Sequence, residues 1–360
     1  MTPYIIILLL SFSLISLSFY TGQTVNKFSH CVFVPIIVFM LTCFAALRHY
    51  DVGTDTINYM LILGKSSSFH DVAALSEPLF SIYSIVVNSL PFDFDTRFIL
   101  YLFFISFVIV FIYLRCIFDY SKHESQSFLL FFLLGIYTFH FNGARQAITI
   151  ALFLFAYRFI VNGSFFKYCI VIVIGFFIHK SIILMLPFYW VFRTGLDKRT
   201  VSFICIGSVL AAFLIQPIVE FAASYDSRYS TYADAKYGGG GLVSVVFYTM
   251  LLTWLLISMK LNRISDVLYK SSVMAMIVSV CIGWVSIVLS LNPSGILRLI
   301  VYFLQFSIFS LPVSISSFKD GRTKVVLYTV IYIVLFVYFY LTTFNFSGLF
   351  PYKTSIESII

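Results

Sequence analysis

The chain has 360 residues, 61% of them hydrophobic and only 11% charged, with a formal net charge of +8 and a mean hydropathy of +1.00. Soluble domains carry about 25% charged residues, and no single soluble core hides apolar runs as long and frequent as these. The basic excess lies in short gaps between apolar runs, not along one stripe, so it reads as membrane topology and excludes a nucleic-acid surface.

The apolar runs are helical in kind. Spanning a hydrocarbon layer takes about 20 apolar residues in a helix, which satisfies its own backbone groups. A β-barrel strand would alternate polar and apolar residues over about ten positions. Segments such as FLLFFLLGIY (128–137) and VVLYTVIYIVLFVYFYL (325–341) do not alternate. The expected fold is therefore all-α, a polytopic integral membrane helical bundle. The six cysteines form no CxxC pair, so neither a disulfide framework nor a metal site is expected, and no cofactor is called for. The first twenty residues have no basic leader and no small-residue cleavage site, and read as a retained first span.

In chain order the expected spans are 3–20, 31–47, 98–115, 127–142, 146–162, 200–221, 242–259, 271–290, 297–315 and 325–343. Residues 78–90 are apolar but short for a crossing, which suits a re-entrant, interfacial or half-span helix. Residues 166–192 make either one long tilted helix or two short ones broken around His179-Lys180-Ser181. The reading is one integral membrane domain over 1–360 with about ten to thirteen passes, one or two of them short or broken. No internal repeat or linker divides it. The larger extracytoplasmic loops are 48–97 and 222–241, the second containing Gly238-Gly239-Gly240-Gly241 and several tyrosines. That loop is either a flexible tether or a cover over substrate.

Charge orients the bundle. The gaps holding Lys27, Arg115, Lys122, Arg158, Lys167, Arg193, Lys198, Arg199, Lys260, Arg263, Lys270, Lys319, Arg322 and Lys324 contain 14 of the 23 basic residues and five of the 15 acids. By the positive-inside rule these gaps face the cytoplasm. This arrangement requires 166–192 to cross twice and 78–90 not to cross, with both termini outside.

Ionisable groups that topology does not require are the candidates for chemistry, because a charge within the membrane costs a few kcal/mol or more. Five places fall on the outer side. Arg48-His49-Tyr50-Asp51-Val52-Gly53-Thr54-Asp55 leads into a helix that Thr54 or Asp55 could cap, with Tyr59 on the same face as Asp55. Glu77-Pro78 places an acid and a first-turn proline before an apolar helix, which is also ordinary capping. Arg145, followed by Gln146, opens a span without a nearby partner and offers planar donors suited to phosphate or carboxylate. His179 and Lys180 interrupt an otherwise apolar run, as happens where a broken helix lines a cavity. Arg298 follows the turn Asn292-Pro293-Ser294-Gly295 and serves equally well as a snorkelling interfacial residue. Together these cations suit an anionic ligand arriving from the membrane: a lipid-linked diphosphate, another organic anion or an anionic phospholipid.

Four pieces in order carry a family resemblance: R-x-x-x-V-G-T-D-x-x-x-Y at Arg48–Tyr59, E-P-L-F at Glu77–Phe80, N-x-x-R-Q-A-I at Asn142–Ile148 and F-x-I-H-K-S at Phe176–Ser181. Weaker echoes lie near Leu299 and at Pro351-Tyr352-Lys353. In this order the pieces resemble the EpsG family of Wzy-type polysaccharide polymerases. One departure is Gly143-Ala144 before Arg145, where an apolar residue is usual.

The resemblance implies a glycosyltransferase of the bacterial inner membrane, active at its periplasmic face. It would polymerise undecaprenyl-diphosphate-linked repeat units of O-antigen, capsule or exopolysaccharide. Membrane lipid and such lipid-linked glycans would be its partners, with a separate chain-length regulator. In that reading Arg145, Arg48 and Arg298 bind diphosphate, His179 or Asp55 takes the acceptor proton, and Gln146, Glu77 and Tyr59 position substrate. Tyr232 and Tyr237 are further stacking candidates. A flippase for the same unit would be expected to show two related halves, and a membrane acyltransferase would use His179 to activate an acyl donor.

Overall fold

A computed structural model of the chain describes residues 1–24, 28–66, 77–225, 241–289 and 293–355. Lys27, Asn292, Arg228, Tyr232, Lys236, Tyr237 and the first three glycines of the late loop lie outside the described residues.

The described chain is helical throughout, as its apolar runs require, and it has no β-strand beyond one isolated bridge. Helices α1 (Thr2–Thr24) and α2 (Phe28–Ala46) precede the short α3 (Thr56–Lys65) and α4 (Pro78–Asn88) and the long α5 (Phe94–Tyr120). Then come α6 (Glu124–Leu133), α7 (Ile136–Phe139), α8 (Ala144–Val161) and α9 (Phe165–Phe176), followed by a 3-10 turn at Lys180–Met185. The remaining helices are α10 (Phe188–Thr194), α11 (Lys198–Tyr225), α12 (Leu242–Asn262), α13 (Val267–Val288), α14 (Pro293–Leu304), α15 (Ser307–Ser316) and α16 (Gly321–Leu341). A π-helical turn at Thr342–Phe346 extends the last of these.

Six described helices are long and apolar enough to cross a membrane, or seven if α14 and α15, bent by 49°, form one span. Shorter apolar helices cover Val32–Ala46, Pro78–Asn88 and Phe165–Phe176. Lipid replaces water as the solvent of these faces: only 17% of the span in α16 is buried, and Val325, Val330 and Ile333 are among its exposed side chains. In water such a surface would aggregate, whereas in hydrocarbon it is the ordinary exterior.

The coordinates fall into two compact units, residues 1–186 with 326–360 and residues 187–325. In the second unit α13 is central, with α11, α12, α14 and α15 packed around it. In the first, α2 packs on α1 and α5, while α8 packs on α5, α9 and the 3-10 turn.

Local sequence explains where the expected spans are interrupted. Residues 127–142 do not form one helix, because Gly135 takes a left-handed φ of 72° between α6 and α7. Residues 166–192 take the broken alternative, split around His179. Backbone N–H groups of Ile178 and His179 both donate to the Gly175 carbonyl (2.9 and 2.8 Å), which ends α9. The 3-10 turn folds back over Gly175, where a Cβ would lie 2.6 Å from Ile182 Cδ1. The 78–90 segment is the eleven-residue α4. At 1.5 Å per residue, α4 and α9 extend roughly 17 and 18 Å, well short of the hydrocarbon thickness. The Leu79 N–H donates to the Phe177 carbonyl (3.0 Å), so the start of α4 and the end of α9 meet.

Candidate active site

That junction places three motif residues together. Pro78 occupies the first turn of α4, as the sequence suggested, but Glu77 makes no side-chain cap bond to the helix. Its carboxylate instead bridges two distant residues. Arg145 Nη1 donates to Glu77 Oε2, and His179 Nδ1 lies 2.6 Å from Glu77 Oε1. The Glu77 side chain is 6% exposed, while those of Arg145 and His179 are each 24% exposed. One buried anion thus holds two cation-forming groups that remain accessible.

Each member is positioned by its own element. Arg145 is the second residue of α8, and its backbone N–H approaches the Tyr59 hydroxyl of α3 at 3.4 Å. The guanidinium lies 5.6 Å from the ring centre of Phe80, in the first turn of α4. Phe80 in turn packs edge-on against Tyr59 and Tyr101, at 6.1 and 5.9 Å. Tyr101 stacks on Tyr83 at 5.0 Å, and its hydroxyl meets Ser84 Oγ at 2.9 Å. This aromatic floor orders Arg145 through its face, leaving the edges of the fork for hydrogen bonds. His179 follows the break after α9, with extended backbone (φ −157°, ψ 120°), so the broken helix aims its imidazole at Glu77.

A carboxylate that accepts from Nδ1–H fixes the imidazole tautomer and leaves the lone pair on Nε2. Arg145 carries five N–H donors, of which the Glu77 bond uses one. The chemistry available is therefore a proton acceptor next to an anion-binding guanidinium, both oriented by one acid.

The other sequence candidates are placed differently. Arg48 is 1% exposed and sits in the interior of the first unit. Its guanidinium lies 4.3 Å from the Phe141 ring centre, Nε donates to Thr56 Oγ1 (3.3 Å) and Nη1 donates to the Ala45 carbonyl. Burial lowers its pKa to about 10. Tyr59 is 3% and Gln146 6% exposed, so both are buried in the protein. Asp55 stands at the start of α3, half-buried, without a side-chain cap bond. Arg298 lies half-buried in α14 of the second unit.

The sequence reading missed what Asn142 does. Its Oδ1 accepts from the Thr54 N–H (2.7 Å) and its Nδ2 donates to the Ser347 carbonyl (2.8 Å). Gly53, at φ +93°, donates its N–H to the Gly348 carbonyl (2.8 Å), and a Cβ there would lie 2.6 Å from the Phe141 carbonyl oxygen. The V-G-T-D piece and the asparagine of N-x-x-R thus lock the backbone beside the site. The only signal in the sequence was the presence of both within the recurring pieces. Among the described residues, no cluster of three His, Cys, Asp or Glu side chains is placed to hold a metal ion.

No curated protein and no solved structure matches the chain. A family model does, the EpsG family, over residues 31–354. That range takes in all four motif pieces and most of the chain, and the helical membrane architecture agrees with it. The chain belongs to the EpsG family, a Wzy-like polysaccharide polymerase family of multi-pass membrane proteins.

Proposed function

We propose that the protein is a glycosyltransferase that polymerises lipid-linked oligosaccharide repeat units at the periplasmic face of the inner membrane. Undecaprenyl diphosphate is the leaving group. The observation that carries this reading is the Arg145–Glu77–His179 cluster, in which a single carboxylate orients an anion-binding guanidinium and an imidazole.

In the proposed reaction an acceptor sugar hydroxyl attacks the anomeric carbon of the donor chain. His179 Nε2 takes the hydroxyl proton as the new C–O bond forms. The bond from the anomeric carbon to the diphosphate oxygen breaks, and its electron pair leaves with the diphosphate. Arg145 neutralises the charge that develops there, while Glu77 steadies the imidazolium. Asp55, at the start of α3, is the candidate for holding sugar hydroxyls. We assign Arg48, Tyr59 and Gln146 to shaping the site from behind, in keeping with their burial.

The positive charge of the loops that contain Arg115, Lys122, Arg158 and Lys167 supports the sidedness: they flank the far ends of α5, α8 and α9 from the cluster. The 18 residues of α8 separate Arg145 from those loops by roughly 27 Å, about one hydrocarbon thickness.

The test is a surface-glycan gel on a strain lacking the protein, complemented by wild type, Arg145→Ala or His179→Ala at matched membrane abundance. A ladder restored by wild type alone, with the variants leaving a single repeat unit, supports the assignment. A normal ladder from either variant refutes that residue's role. Loss of even the single-repeat band would indicate a flippase, and full-length but unmodified chains an acyltransferase.

A further inference from the structure

Residues 347–355 contain none of the proposed catalytic groups, yet they are tied to the backbone around the site at many points. The Gly53 N–H donates to the Gly348 carbonyl (2.8 Å), the His49 N–H to the Lys353 carbonyl (2.9 Å) and the Ser355 N–H to the Leu47 carbonyl (2.8 Å). Ser355 Oγ donates to the Arg48 carbonyl (2.8 Å), beside the isolated antiparallel bridge between Arg48 and Thr354. Tyr352 stacks on Phe44 at 4.5 Å and 5° and donates its hydroxyl to the Phe44 carbonyl (2.6 Å). From α1, Tyr4 donates to the Leu349 carbonyl (2.8 Å).

Most of these ties run to the 44–53 segment. One side chain extends the connection to α8. Asn142 uses both ends of its amide, accepting from Thr54 N–H and donating to the Ser347 carbonyl, and it stands three residues before Arg145. The preceding residue is held as well: the Phe141 carbonyl accepts from Thr56 Oγ1 (3.2 Å), and the Phe141 ring stacks under the buried Arg48 guanidinium. Among the described residues that guanidinium has no carboxylate partner, so its burial is costly.

We infer that Asn142 is a positioning residue, and that residues 347–355 form a strap which, through Asn142, holds the start of α8 and hence Arg145 in register for the leaving diphosphate. This rests on the role proposed above for Arg145. The physical logic is that an electrostatic group contributes to catalysis only when fixed in advance, and a displacement of about 1 Å can lower the rate 10²-fold. Glu77 and Phe80 hold the Arg145 side chain, but where it points also depends on the backbone it projects from, which Asn142 ties down three residues upstream.

The test uses purified full-length protein in vesicles with a synthetic undecaprenyl-diphosphate-linked repeat unit. Asn142→Ala removes both ties, and Asn142→Asp keeps the acceptor for Thr54 N–H but loses the donor to Ser347. A stop after residue 346 removes the strap. The expected result is a fall in kcat of roughly 10- to 100-fold for Asn142→Ala and the truncation, a fall at least as large for Asn142→Asp, whose second carboxylate oxygen opposes the Ser347 carbonyl, and less change in KM than in kcat. If Asn142 acts through Arg145, the same substitution in an Arg145→Lys background lowers kcat by far less, because the register it protects is already lost.

Equal losses in both backgrounds would overturn the positioning role, as would wild-type kcat in Asn142→Ala and in the truncation. Failure of Asn142→Ala to fold, judged by thermal unfolding in detergent, would also overturn it and assign the residue to folding alone. Wild-type activity in Arg145→Ala, by contrast, would remove the underlying reading and not the strap alone.

Discussion

Replacing Glu77 by glutamine tests the cluster at its centre. The substitution keeps the shape of the side chain but removes the negative charge that both partners share. Only one oxygen remains, so the amide can accept from Arg145 or from His179 Nδ1–H, and its NH₂ faces the other. If it faces Arg145, two donors oppose each other. If it faces His179, the amide N–H donates to Nδ1, the tautomer switches and the proton moves to Nε2, the atom proposed to act as base.

Removing one partner of a fully buried ion pair costs about 3–5 kcal/mol. Here the Arg145 and His179 side chains are each 24% exposed and regain some hydration, so the stability loss should be smaller, about 1–3 kcal/mol. The effect on rate should be larger. A misoriented or wrongly protonated imidazole typically lowers kcat by about 10²–10⁴-fold, which corresponds to about 3–5 kcal/mol of transition-state stabilisation.

The assay is polymerisation of a lipid-linked repeat unit by purified protein in vesicles, read as initial rate of ladder growth, with thermal unfolding measured in parallel. Glu77→Gln should retain a folded, modestly destabilised protein with a rate at least 100-fold down. A rate within a few fold of wild type, with unfolding unchanged, would refute the shared-carboxylate argument, whatever the outcome for Arg145.

Gly53→Ala should destabilise the protein by about 2–4 kcal/mol, seen as earlier thermal unfolding, because alanine at that φ is strained and its Cβ meets the Phe141 carbonyl oxygen. Asp119 bridges Arg115 and Arg158 (3.0 and 2.7 Å) at the other end of α5 and α8, so Asp119→Asn should leave polymerisation within about twofold and stability within about 1 kcal/mol. Asp93 caps α5 by accepting from the Thr96 N–H and Oγ1 (3.0 and 2.7 Å), and these bonds hold its carboxyl below the usual 3.8. A depressed folded pKa means that the cap's contribution is complete above the unfolded value and lost as pH falls through the folded one. Amide exchange at Thr96, corrected for intrinsic rates, should therefore be steady from pH 5 to 7 (roughly the neutral plateau) and lose protection only below about pH 4.

How much of this was legible in sequence varies by element. The membrane class, the helical fold and the family all follow from apolar runs and motif order, because lipid imposes length and backbone satisfaction on every span independently of its neighbours. The break at His179 was also visible, as one of two alternatives, since charged residues rarely interrupt an apolar helix without purpose. Charge alone could not say which of the motif cations would face a ligand. Arg48 and Arg145 look alike as isolated arginines above an apolar span. Tertiary packing buries the first over Phe141 and places the second, partly open, on Glu77. Nor could the sequence choose between a helix cap and a substrate-positioning role for Glu77, because its partners lie 68 and 102 residues away. Asn142 and the 347–355 strap were equally hidden. Spacing along the chain records what a helix or turn requires locally, whereas hydrogen bonds between residues 142 and 347 exist only once the helices that carry them have packed.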